Sequence, residues 1–473
     1  MRTIYWYAIL FFFGIMGLPL LLNGQNSVLR LSGLFTDHMV LQQQANVPIW
    51  GWSGPEMEVF VSTSWGVQGS LRSDTSGFWL TYLKTPIYGT GHHINVTAGV
   101  ESIVLSDVAI GEVWLASGQS NMEMPLSGWP GNPITDSEKE IKSASNSEIR
   151  IIMIQRSMAV EPTLDVSGYW LPASENTVSD FSATAYFFAQ HLYDELKVPI
   201  GVIHSSWGGT SIDSWLPIDR LSALSGNDNS LEDLPNSETI TQNTPSVLYN
   251  AMIHPLAPYT INGFLWYQGE SDTGNPAAYR EKFVTMIRTW REKWLRDDAP
   301  FYFVQIAPYR YDKMTRSQEL REAQFETLTE PNTGMVVTLD IGDPNDIHPA
   351  NKKDVGKRLA FWALARTYDR ELDYSGPLFK SMKISGSMAI IHFDHAEMGL
   401  KADTNELQHF QIAGSDRNFY PALTEIQHDR ILVSHPSVPT PVAVRYLWDN
   451  YSAASLFNNA GFPASSFRTD RWD

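Results

Sequence analysis

The chain has 473 residues, 43% hydrophobic and 12% aromatic, enough for two or three domains each with its own core. Its formal charge of −18, from 34 Lys and Arg against 52 Asp and Glu, argues against nonspecific nucleic-acid binding or attraction to an anionic membrane, since both need a basic surface. With no cysteine, disulfides, thiolate metal sites and cysteine nucleophiles are excluded, and a neutral substrate fits the charge better than an anionic one.

The N-terminus reads Met1, Arg2, then an almost uninterrupted apolar run from Ile4 to Leu22 and the small polar stretch Asn23-Gly24-Gln25-Asn26. This fits a secretory signal peptide over residues 1–25, which implies a secreted or periplasmic mature chain. About 19 apolar residues could also just span a bilayer. The minimal flanking charge, and the lack of a second long apolar stretch, favour the cleaved signal and no stable membrane insertion afterwards. Asn95 and Asn450 sit in Asn-X-Ser/Thr sequons, which matter only in a host that glycosylates exported proteins.

From about Ser27 to Ile103 short β-rich runs alternate with turns, as in Val47-Pro-Ile-Trp-Gly-Trp and Phe78-Trp-Leu-Thr-Tyr, which predicts an N-terminal β-sandwich over residues 26–105. The pattern then becomes strand, loop, helix. Val108–Ala116, Ile200–Ser205, Gly263–Tyr267, Phe301–Ile306 and Gly334–Leu339 are apolar runs suited to buried strands. Between them, Tyr279, Phe283, Met286, Ile287, Trp290 and Trp294 fall on one helical stripe, and Ser182–Leu196 and Lys352–Tyr368 read the same way. Residues 106–371 are therefore expected to form an α/β domain, a parallel sheet covered on both faces with its site at the strand C-termini. From 372 to 473 the β pattern returns at Met382, Ala389 and Ala443, giving a second β-domain that could pack on the first.

Three strand ends and one loop carry polar residues suited to chemistry. Val108–Ala116 runs into Ser117-Gly-Gln-Ser-Asn-Met-Glu, which sets Ser120 on a turn where it can act as nucleophile and where its own amide can face an oxyanion; a helix N-cap is the bland alternative. His204-Ser-Ser-Trp-Gly-Gly places Gly208 and Gly209 in a loop at the same edge, or in an ordinary βα turn. Trp266-Tyr-Gln-Gly-Glu offers the Gln268 amide as an oxyanion donor and Glu270 as a carboxylate that orients neighbours. His348 follows Asp340, Asp343 and Asp346, so a general base has acidic partners at hand, with Asp346 the nearest. Asp346 and His348 could instead hold a metal, but no second histidine at helical spacing supports that, and no metal or other cofactor is expected. Trp207, Trp215, Trp266 and Tyr267 are either platforms for sugar rings or core.

The segments GQSNMEMP, WGGTSIDSW, WYQGES and NDIHPANKKDVGKRLA, together with LSGLFTDHMVLQQQANVPIWGW and GFPASSFRTDRW at the two ends, closely resemble the sialate O-acetylesterase-like carbohydrate esterases, a branch of the SGNH (GDSL-like) hydrolases. The resemblance covers most of residues 28–473. It implies an SGNH-like three-layer domain flanked by β-domains, and a secreted serine esterase that removes O-acetyl groups from carbohydrates with no cofactor. Carried over by position, it makes Ser120 the nucleophile and His348 the base. The Ser120 amide, Gly208 or Gly209, and the Gln268 side chain become oxyanion donors. Asn121, Trp207, Trp215 and Glu270, which lie within these blocks, are candidate substrate contacts by position. The wider superfamily has its acid three residues before the histidine; here that position is Asn345, and Asp346 stands two before. A carbohydrate-binding protein with an inert centre, and glycoside hydrolysis by Glu270 and Asp346, are the rival readings. Sialate, xylan, mannan and pectin esters are all open as substrates.

Overall fold

The computed structural model describes residues 29–472 except 225–238, Lys313 and Asn405; the expected signal peptide, residues 1–25, lies outside them. One long strand organises the rest. β1 (Glu101–Gly118) alternates buried with more exposed positions up to Asp107 and is buried throughout from Val108 onward. The sequence fits the change, because Glu101-Ser-Ile-Val-Leu-Ser-Asp carries four polar residues in seven while Val108–Ala116 is apolar at all but Gly111 and Glu112. The first half pairs antiparallel with Gly89–Ala98 in the N-terminal region. The second half is the middle of the central sheet. No break occurs at residues 105–106, so the N-terminal and central sheets share a strand.

The central sheet contains β2 (Ile149–Met153), β3 (Trp170–Pro172), β4 (Ile200–Ser206), β5 (Gly263–Tyr267), β6 (Phe301–Val304) and β7 (Thr333–Val336), in the order β3-β2-β4-β1-β5-β6-β7. All neighbours are parallel except edge strand β3. Ser120–Glu123 forms the short helix α1 just past β1. Helices α2 (Ala183–Leu196) and α5 (Lys352–Arg366) cover one face, meeting Leu265 and Tyr267 in a single core. On the other face α3 (Pro276–Lys293) packs its expected stripe, Tyr279, Phe283, Met286, Ile287 and Trp290, against Phe264 and Trp266. The parallel sheet covered on both faces is thus present. β6 and β7 stop earlier than their apolar runs, at Val304 and Val336.

The N-terminal region adds a three-stranded sheet of Arg30–Leu31, Asn46–Trp52 and Phe78–Lys84, and Glu58–Thr63 pairs with both Gln68–Arg72 and Gly89–Ala98. Among the described residues, the C-terminal region holds two four-stranded sheets and a two-stranded one. Its seam is with the central domain. Arg321, in α4 (Ser317–Glu326), is fully buried and donates to Leu447 O at 3.1 Å, Asp449 O at 2.6 Å and Ser466 Oγ at 3.1 Å. The rings of Phe361 and Phe462 meet at 5.9 Å.

Candidate active site

The register of β4, β1 and β5 aligns Ser206 with Gly118 and Tyr267, so three of the sequence segments emerge side by side at one sheet edge. Gly118 has φ +141°, and a Cβ there would lie 2.2 Å from Tyr267 O, so this turn needs glycine. Gln119 N–H donates to Tyr267 O at 3.0 Å, and Ser120 follows, half-buried, as the first residue of α1. Its amide therefore has no partner within the helix. Trp207 N–H donates to Gly118 O at 3.1 Å and docks the glycine pair beside the serine. A Cβ on Gly208 would stand 3.3 Å from Ser120 Cβ.

His348 lies in the loop before α5. Asn121, next to Ser120, donates from Nδ2 to Ile347 O at 3.1 Å, which ties the serine turn to the histidine loop. Asp346 Oδ1 stands 3.4 Å from His348 Nδ1 and accepts from the His348 amide at 2.8 Å and from Asn132 Nδ2 at 3.2 Å. The other nearby carboxylates are engaged elsewhere, Asp340 with both terminal nitrogens of Arg358 and Asp343 with the Asn345 amide. Burial lowers the imidazole pKa, and the Lys352 ammonium lowers it further against the opposing charge of Asp346. A base held neutral at mild pH is what proton abstraction from a serine needs. The buried His204, in β4, is pushed down to about 4 by desolvation and stays neutral.

Several sequence-based roles change. Gln268 is fully buried, and its NH2 donates to Thr210 O at 3.0 Å and to Asp272 Oδ2, which leaves no hydrogen for an oxyanion. It braces the loop carrying Gly208 and Gly209 instead. The cause is strand alternation: Gln268 continues the Trp266 side of β5, toward α3, where Tyr279 Oη donates to its Oε1 at 3.0 Å. Trp215 is also core, fully buried, edge-on to Trp266 at 5.9 Å, with its indole N–H on Thr210 Oγ1 at 3.0 Å. Asn121 is enclosed and contacts protein rather than solvent. Glu270, only 7% exposed, accepts from Asn121 Nδ2 at 2.6 Å, and burial raises its pKa. A carboxylate so enclosed cannot flank a glycosidic bond, which removes the paired-carboxylate reading. Trp207 keeps an exposed face, with the Arg156 guanidinium 5.6 Å from its ring.

The two glycines also differ. Gly208 N–H donates to Glu123 Oε2 at 2.9 Å, and Glu123 pairs through its other oxygen with Arg156. Gly209, at φ +71°, is exposed, and its carbonyl accepts from Asn243. Sequence reasoning missed Glu123, Arg156, Lys352 and Trp129, whose ring sits edge-on to His348 at 5.1 Å. Only Trp129 carried a signal, in the Gly128-Trp-Pro-Gly loop directly after the serine turn.

The family model for the sialic acid-specific acetylesterase group of carbohydrate esterases matches residues 110–365, more than half of the chain. The chain is 28% identical to the human sialate O-acetylesterase over 503 residues, covering 95% of each, and 29% identical to that of Pongo abelii over 504 residues, with the same coverage. Among solved structures, a carbohydrate acetylesterase from Xanthomonas citri is similar at 36% identity and a TM-score of 0.87, over 94% of this chain and 100% of that one. The chain therefore belongs to the sialic acid-specific acetylesterase family of carbohydrate esterases and is a carbohydrate-acting ester hydrolase.

Proposed function

We propose that the chain is an exported serine esterase that removes O-acetyl groups from sugars through an acetyl-serine intermediate. The observation that carries this reading is the Asn121–Ile347 hydrogen bond, which fixes the turn bearing Ser120 against the loop bearing His348. His348 takes the hydroxyl proton as Ser120 Oγ attacks the acetyl carbonyl. Asp346 orients the imidazole and offsets the positive charge it acquires. Collapse of the tetrahedral intermediate returns the proton to the leaving sugar oxygen, and a water activated by His348 then releases acetate. The oxyanion forms beside the Ser120 amide, with the Gly208 amide joining once the Glu123 carboxylate gives up its bond. Trp207 and Trp129 border the serine and the histidine and supply apolar surface for a sugar ring.

The test is acetate release from a small chromogenic ester and from acetylated sialic acid, xylan and mannan. Ser120→Ala should abolish release on every substrate that wild type cleaves, a loss of about 10⁴-fold or more. Near-normal activity in that variant would reject the mechanism. The substrate panel separates sialate from plant-polysaccharide esters, and N-terminal sequencing of the exported protein tests removal of residues 1–25.

A further inference from the structure

Beneath the Ser120 turn lies a cluster that the acyl-transfer steps do not use. Lys352, the first residue of α5, is fully buried. Its Nζ donates to Asn121 Oδ1 at 2.6 Å and to Pro349 O at 2.9 Å, and it faces the Tyr267 ring at 5.8 Å. Asn121 in turn donates to Ile347 O and to Glu270 Oε1. The carbonyls on both sides of His348 are thus gripped by one two-residue bracket, and that bracket is anchored in the residue following Ser120. Glu270 supplies the opposite charge through Asn121. Its Oε2 and the hydroxyls of Tyr267 and Tyr311 are buried without protein partners.

An enclosed ammonium is costly, and an apolar side chain of similar volume would serve packing alone at lower cost. What methionine could not do is hold the Asn121 and Pro349 oxygens. We infer that Lys352 is a positioning residue for the esterase reaction, setting where the His348 imidazole stands relative to the Ser120 hydroxyl. This rests on the assignment of Ser120 and His348 made above. A misplacement near 1 Å can cost about 10²-fold in rate.

The charge has a second consequence. Three groups act on the imidazole: Asp346 from its own loop, the Trp129 ring from the loop after α1, and Lys352 from α5. Of these, only Lys352 opposes its protonation electrostatically. Burial also pushes the Lys352 amine itself down, to about 7, with Glu270 and Asp346 opposing.

The experiment measures kcat and KM of the full chain on a chromogenic acetate ester across the acid limb, together with Tm, for wild type, Ser120→Ala, Lys352→Met and Lys352→Gln. Lys352→Met should lower kcat roughly 10- to 100-fold with KM little changed. Its acid limb should move up by about half a pH unit or more, because a like charge has left the imidazole. Lys352→Gln, which keeps a donor but not the charge, should retain more of kcat and show the same displacement. If Lys352→Met does not fold, the Gln variant carries the test. A wild-type kcat or an unmoved limb in the neutral variants overturns the inference, and a lower Tm without either change makes Lys352 merely structural. Full activity in Ser120→Ala would instead reject the underlying mechanism, so the two failures are distinguishable.

Discussion

In the mechanism proposed above Ser120 and His348 act as a pair, and the pH dependence of the reaction should then report the surroundings of the histidine. A general base acts only when unprotonated. Since burial and then Lys352 lower the His348 pKa from 6.5, with Asp346 opposing, the neutral form persists to lower pH than in a free imidazole. The acid limb of kcat/KM for wild type should therefore have its midpoint below 6.5. A midpoint above that value would mean that Asp346 outweighs burial and Lys352. As candidates these two positions were legible in the sequence, because a serine in a turn past an apolar run and a histidine beside carboxylates are what acyl transfer would use, although a helix N-cap accounted for the serine equally well. Gln268, Trp215, Asn121 and Glu270 were not, because one residue of strand alternation or one side of a turn decides whether a polar group faces solvent or the interior. Proximity to a motif in sequence does not carry that information. Lys352 was invisible for a related reason, since a lysine opening a helix reads as a solvated charge.

At the scale of elements, the apolar runs located the strands and the helical stripe located α3, because burial on both faces of a parallel sheet leaves no room for polar alternation. Strand ends were less legible, as the early stops of β6 and β7 show. Helix contact was not legible at all. α2 and α5 approach so closely that a Cβ on Gly356 would meet Phe187 Cβ at 2.6 Å and the backbone atoms Phe188 N and Thr184 O at 2.7 Å. In an exposed helix Gly→Ala gains about 1 kcal/mol. Here two of the three obstructing atoms are main chain and cannot swing aside, so Gly356→Ala should be destabilising by about 1–3 kcal/mol. The denaturation midpoint decides the sign. Because α5 begins at Lys352, the same substitution should also lower kcat, and a stabilised, fully active variant would show that the helices have room to separate.

Across the whole molecule, the seam between α4 and the C-terminal sheets is polar at its centre. Arg321 meets carbonyls and hydroxyls rather than a carboxylate, and burial pushes its pKa down to about 10. Replacing it with methionine removes the buried charge but leaves Leu447 O and Asp449 O without this donor, at about 1–3 kcal/mol for each group left unsatisfied. Arg321→Met should lower Tm and open the C-terminal region to limited proteolysis before the central domain, and an unchanged cleavage pattern would place the strength of the seam elsewhere. Asn450 belongs to the same seam, with Oδ1 accepting from the Ser317 amide at 3.0 Å and Nδ2 donating to Thr315 O at 2.9 Å, so a glycan on that nitrogen would disrupt it. The sequence announced three regions by their changes of periodicity, but contacts between distant segments leave no periodic trace.

Strand β1 has a last consequence, for anyone who would exchange the front of this molecule with that of a relative. There is no linker to cut. A chimera must be joined inside a hydrogen-bonded strand, and a splice that slips by one residue would turn Val108–Ala116 over, sending each side chain to the opposite face and carrying the serine turn out of line with its neighbours. Grafting on this scaffold is therefore a matter of register before it is one of sequence identity.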